Sequence, residues 1–217
     1  MNYKAIIFDL DGTLLDTLQD LTLSVNTVLR QKGFGEHNVD AYRYFVGDGI
    51  DILVQRAFPA GFFAGEAELE TVVQEVKEEY GRRWAENTGP YPGVPELLSY
   101  LENKQVPKAI FSNKPHEFAL LTVETLLPGW SFVGICGIRA GMPRKPDPYG
   151  ALQIAKTLKL NPRDIIYLGD TGTDMQTAVA GGFYPLGALW GFRTAEELLE
   201  SGAQELAREP LDVADYF

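Results

Sequence analysis

Apolar positions fall into two regimes along the chain. Residues 4–9 (KAIIFD) form a short β-branched and aromatic run, with aspartates at 9 and 11 where it ends. This predicts a strand carrying two carboxylates at its C-terminal end. From Asp16 onward Leu18, Leu21, Val25, Val28 and Leu29 recur at three- or four-residue spacing up to Gly33, which predicts an amphipathic helix. Helical patterning continues through residues 40–45, 50–58 and 66–87 without a convincing strand, so residues 15–89 read as a helical insert. The Gly- and Pro-rich segment TGPYPG, residues 88–93, has the composition of a hinge.

Beyond the hinge the period alternates. Helices are expected over residues 94–103, 117–126, 149–158 and 173–180. Strands are expected over 108–111 and 164–168, with a last one over 184–189, and residues 132–138 form a further apolar stretch. Strand and helix in alternation predict an α/β fold, a doubly wound parallel sheet with a Rossmann-like core. The core comprises residues 1–14 and 90–217, and the small α-helical domain of residues 15–89 is inserted into it.

Composition narrows the function. The chain has 217 residues, 45% hydrophobic and 12% aromatic, and no apolar run near the roughly 20 residues of a membrane span. A soluble protein without a membrane partner is expected. The N-terminus lacks the long apolar run of a signal peptide, and the only cysteine, Cys136, cannot form an intramolecular disulfide, so a cytoplasmic location is expected. Cys136 reads as a buried, inert residue. A net charge of −11 argues against nucleic acid as a partner. An anionic substrate then requires a local positive field from a metal, a lysine or backbone N–H groups.

In open parallel sheets ligands bind beyond the carboxyl ends of the strands. Asp9 with Asp11, Ser112 with Asn113, and Asp170 fall at such ends, while Lys145 lies in the proline-braced loop RKPDP. Asp11-Gly12 alone reads equally well as a turn, but D-x-D-G-T is expected by chance only on the order of a few times in a thousand such chains, and its place directly after a strand lowers that further. One carboxylate there can attack phosphorus while the other protonates the departing oxygen. Ser112 and Asn113 read either as caps of the next helix or as donors to a phosphoryl oxygen, two compatible roles. Lys145 by default is solvated, yet a stiff loop can hold an ammonium where charge builds up. Magnesium prefers oxygen ligands, which Asp9, Asp170 and one carbonyl supply.

Four segments in order, FDLDGTLLDT, FSNK, the lysine of RKPDP, and GDTGTD, resemble the motifs of the haloacid dehalogenase superfamily. The likeness extends over nearly the whole chain and is greatest to its phosphoglycolate phosphatase group, in which a small helical cap follows the first motif. The resemblance implies a magnesium-dependent phosphatase acting on a small phosphorylated metabolite, 2-phosphoglycolate first among them. It implies Asp9 as nucleophile, Asp11 as general acid and base, and Ser112, Asn113 and Lys145 as the phosphoryl cradle. The Mg2+ ligands would be Asp9, the Asp11 backbone carbonyl and Asp170, with Asp174 either joining them or standing behind. An aspartate at position 11 sets the chain apart from the dehalogenases and phosphonate hydrolases of the superfamily.

Within the insert, residues 45–50 resemble the segment this group places over its site, and residues 190–193 (WGFR) its last core loop. Gly47, Asp48, Gly49 and Arg43, with Arg56, are the candidates for reading the leaving group, although Gly-Asp-Gly also suits a plain helix start. His37 and His116 read as surface or helix-start residues without a zinc role. Other readings remain: a phosphomutase of the same superfamily acting on a sugar phosphate, an inorganic pyrophosphatase or nucleotidase, or a non-catalytic protein that binds a phosphorylated ligand. Monomer and homodimer are both compatible with the sequence.

Overall fold

The computed structural model describes residues 3–217. It divides into two compact units, one made of the chain up to Leu15 together with Pro90–Phe217, the other of Asp16–Gly89. In chain order the elements begin β1 (Ala5–Phe8), β2 (Leu15–Asp16), α1 (Leu18–Gln31), α2 (Val39–Phe45), α3 (Ile50–Ala57), α4 (Glu66–Arg83) and β3 (Gly89–Pro90). They continue with α5 (Val94–Asn103), β4 (Lys108–Pro115), α6 (His116–Leu126), β5 (Gly134–Ile138), α7 (Tyr149–Leu158), β6 (Ile165–Gly169), α8 (Gly172–Gly181), β7 (Tyr184–Ala188), α9 (Ala195–Glu200) and β8 (Glu205–Ala207).

The larger unit is built on a six-stranded sheet of order β5-β4-β1-β6-β7-β8, parallel throughout. β1 reads as an unbroken apolar run because both of its faces are covered, as parallel strands require. Its side chains alternate between two cores. Ile6 and Phe8 join Ile110, Ile166 and Leu168 beneath Val94, Leu97, Leu98 and Leu101 of α5. Ala5 and Ile7 join Ala109, Phe111 and Tyr167 beneath Ala151, Ile154 and Ala155 of α7 and Ala178 of α8. Helices on both faces make this the doubly wound α/β fold expected. Since β4 and β5 run out on one side of β1 and β6 to β8 on the other, the strand order reverses at β1, where such sheets open a crevice.

The smaller unit is helical. Its two ends are tied together by Asp20 in the first turn of α1. The Asp20 carboxylate accepts from Asn87 N (3.0 Å) and Nδ2 (2.7 Å) and from Thr88 N (2.9 Å) and Oγ1 (2.7 Å). Burial alone would raise the pKa of Asp20, but these donors hold it below the ordinary carboxylate value.

Several expectations are corrected. Residues 184–189 do not hold the last strand: α9 and the three-residue edge strand β8 follow it. α4 ends at Arg83, not at 87. β4 runs through Ser112 and Asn113 to Pro115, so these residues lie in a strand with an irregular register. Neither side chain caps α6. Cys136 is only half-buried. His116 does start α6 but is buried, and its Nδ1 accepts from Gly137 N at 3.3 Å. Among the described residues no helix is long and apolar enough to cross a membrane.

Candidate active site

The register of the sheet brings the first and last motifs together. Phe8 pairs with Leu168 across β1 and β6, and Asp9 N extends the ladder by donating to Leu168 O at 2.9 Å. Asp9 therefore leaves the sheet beside Gly169 and Asp170. The chain then turns sharply: Leu14 N and Leu15 N both donate to Leu10 O, and Gly12 N donates to Leu15 O. Gly12 has φ of +92°, and a Cβ on it would lie 2.3 Å from Asp170 Oδ2. A Cβ on Gly191 would meet Asp170 Cβ at the same distance. Only glycine at both positions lets two loops close around this aspartate.

Asp170 is fully buried. Its Oδ1 accepts from Thr13 Oγ1 at 2.9 Å and its Oδ2 from Phe192 N at 2.9 Å, which orients the carboxylate while leaving lone pairs for a further partner. Trp190 Nε1 donates to Thr13 O at 2.8 Å, so the WGFR segment braces the first motif from above. Asp9, Asp170 and Asp174, all buried, present oxygens within 4.8 Å of one another.

Lys145 contradicts its default reading as a solvated side chain. It is buried, with Nζ 2.8 Å from Asp9 Oδ1 and 2.6 Å from Asp174 Oδ1. Its backbone is clamped from both sides by Asn113, whose Oδ1 accepts from Lys145 N at 2.9 Å and whose Nδ2 donates to Lys145 O at 3.3 Å. One N–H of this side-chain amide is thus used in positioning Lys145. Ser112 Oγ accepts from Lys114 N at 3.2 Å.

Asp174 forms a capping box with Thr171 at the start of α8 and also receives Lys145. Its Oδ1 receives Lys145 and its Oδ2 accepts from Thr171, which holds the carboxylate in place. The half-buried Asp11 accepts from Lys114 Nζ through Oδ1 (2.9 Å) and Oδ2 (3.1 Å). Sequence reasoning assigned no role to Lys114, although it stands in the FSNK motif two residues after Ser112.

The electrostatics show what the cluster lacks. Burial first, then repulsion from Asp174, raises the pKa of Asp9 from 3.8 to about 7 despite Lys145. Burial, with Asp174 and Asp9, pushes Asp170 up as well. Burial would favour neutral Lys145, but Asp174 and Asp9 outweigh it and raise its pKa. Three buried carboxyl groups around one ammonium can all ionise only if further positive charge joins them, and the donors are all hard oxygens. That set fits a magnesium ion.

Arg43, Gly47, Asp48 and Gly49 belong to the helical unit. Gly47 and Gly49 both have positive φ, and Gly49 precedes α3, the plain helix start allowed for above. Asp48 pairs with Arg56 at 2.6 Å, and the half-buried Arg43 lies 3.6 Å from Asp40.

A family model described as haloacid dehalogenase-like hydrolase matches residues 6–186. The chain is 30% identical to phosphoglycolate phosphatase 1 of Pseudomonas aeruginosa over 91% of its own length and 73% of that protein's. It is 28% identical to the phosphoglycolate phosphatase of Psychrobacter arcticus over 100% of this chain and 96% of that one. A crystal structure from Lactobacillus delbrueckii subsp. bulgaricus, provisionally named a phosphoglycolate phosphatase, superposes with a TM-score of 0.90 at 31% identity, covering 99% of this chain and 98% of the other.

Proposed function

The chain belongs to the haloacid dehalogenase-like hydrolases and is a phosphoric monoester hydrolase; on that premise we propose that it is a magnesium-dependent phosphatase working through a phosphoryl group carried on Asp9. The observation that carries this reading is the buried Asp9, Asp170 and Asp174 cluster with Lys145 locked among it. In this reading residues 1–14 and 90–217 are the catalytic core and residues 15–89 its cap.

Asp9 attacks phosphorus in line, forming an aspartyl phosphate as the ester oxygen leaves. Asp11 gives its proton to that oxygen and afterwards takes one from the water that cleaves the aspartyl phosphate. Lys145, held by Asn113 and Asp174, keeps an ammonium against the phosphoryl oxygens, and the Ser112 hydroxyl adds a donor. Asp9, the Asp11 backbone carbonyl and Asp170 would hold Mg2+, with Asp174 behind them. When bound, the ion would supply charge neutralisation for the phosphoryl group and for the carboxylates.

The relatives' names support 2-phosphoglycolate as substrate. Phosphate release from 2-phosphoglycolate, pyrophosphate, a nucleoside monophosphate and a hexose 1-phosphate, with and without magnesium, tests this. The expected result is metal-dependent turnover strongest on 2-phosphoglycolate and lost in Asp9→Asn. Preference for another ester discards the substrate, and no metal-dependent release from any of them discards the phosphatase.

A further inference from the structure

We propose that Lys114 is the residue that reads the leaving group, selecting phosphomonoesters that carry a carboxylate next to the ester carbon. The inference rests on the phosphatase reading above, because it uses Asp11 to mark where the leaving oxygen sits. A general acid must lie against the oxygen it protonates. Lys114 Nζ contacts both oxygens of Asp11, at 2.9 and 3.1 Å, so it stands immediately beside that oxygen's position.

The lysine is held there by more than Asp11. Its side chain is only 5% exposed, and Nζ lies 5.3 Å from the centre of the Phe118 ring on α6, a cation–π distance. β4 has its register shift between Phe111 and Pro115, and an irregular strand of this kind re-aims side chains beside a site. A buried ion pair contributes little net stability, since desolvation offsets much of the attraction. Net stability therefore does not by itself call for an ammonium at this place, whereas a substrate anion would.

In 2-phosphoglycolate one methylene separates the carboxylate from the ester oxygen. A cation beside Asp11 is within reach of that carboxylate, and an ammonium has three donors to divide between it and the acid. Such a contact also meets the demand set by a chain of net charge −11, which needs local positive charge to accept a second anionic group. In the helical unit Arg56 is paired with Asp48, and Arg43 lies 3.6 Å from Asp40.

The test compares kcat/KM for 2-phosphoglycolate and for 2-hydroxyethyl phosphate, the same skeleton with an alcohol in place of the carboxylate, in wild type, Lys114→Met and Lys114→Arg. Losing a charge-assisted contact should cost the methionine variant about 10- to 100-fold more on the acid than on the alcohol. The arginine variant should recover part of that discrimination. Equal losses on both esters would overturn the inference, because Lys114 would then act only through Asp11 while the phosphatase reading stood. A wild type without preference for the acid overturns it equally. Wild-type turnover of neither ester with magnesium would sink the phosphatase reading and this inference together. Product inhibition of the wild type needs no variant to fold: glycolate should inhibit more strongly than ethylene glycol, and equal inhibition counts against the inference.

Discussion

With no metal at the carboxylate cluster, this protein should become less stable as pH rises through the neutral range. Asp9 binds its proton with a pKa of about 7 in the fold, against an ordinary 3.8. A carboxyl with a raised folded-state pKa contributes stability that is fully present below its unfolded value and lost as pH climbs to the folded one. Between pH 5.5 and 7 that loss is about 2 kcal/mol for Asp9 alone. In a chain of this size it corresponds to a melting temperature lower by about 4 to 8 °C. Thermal melts in chelator from pH 5.5 to 8 should be run on wild type and Asp9→Asn, since the difference between the curves cancels groups that titrate alike in both. The wild type should fall relative to the variant as pH rises, and saturating magnesium should close the gap by binding the folded state. A difference that stays flat with pH in chelator, or a wild type indifferent to magnesium, would refute the electrostatic account of the cluster.

Asp20→Ala should destabilise the helical unit by about 3 kcal/mol in urea unfolding, because it strands the buried donors of Asn87 and Thr88. The pKa of Asp20 is depressed, so its contribution has the opposite sign: present above about pH 4, the unfolded carboxylate value, and lost as pH falls through the folded one. Asn113→Ala should lower kcat by about 10-fold with little change in KM, since it loosens the clamp on the Lys145 backbone; a change in KM alone would speak for direct substrate contact.

What could be read from the chain followed burial. β1 and β6 announced themselves because parallel strands covered on both faces are apolar throughout, and the glycine after Asp11 marked a turn that only glycine fits. β8 escaped because a three-residue edge strand carries too few side chains for any period to show. The extension of β4 escaped for another reason: its residues Ser112 to Lys114 are polar, and their burial comes from partners far along the chain, Asp11 and Lys145. Lys145 was legible from its stiff loop and motif, but its burial was not, since its two carboxylate partners lie 136 and 29 residues away in the numbering, at Asp9 and Asp174. The double role of Asp174, as cap of α8 and as partner of Lys145, needs coordinates to see.

Asp9 is expected to carry the phosphoryl group during turnover. Rapid acid quench of the magnesium-loaded enzyme with excess 2-phosphoglycolate, followed by proteolysis and mass spectrometry, tests it most directly. A phosphoryl adduct on the peptide bearing Asp9, formed during turnover and absent in Asp9→Asn, is the expected result. Steady phosphate release with no adduct, persisting in Asp9→Asn, would contradict it.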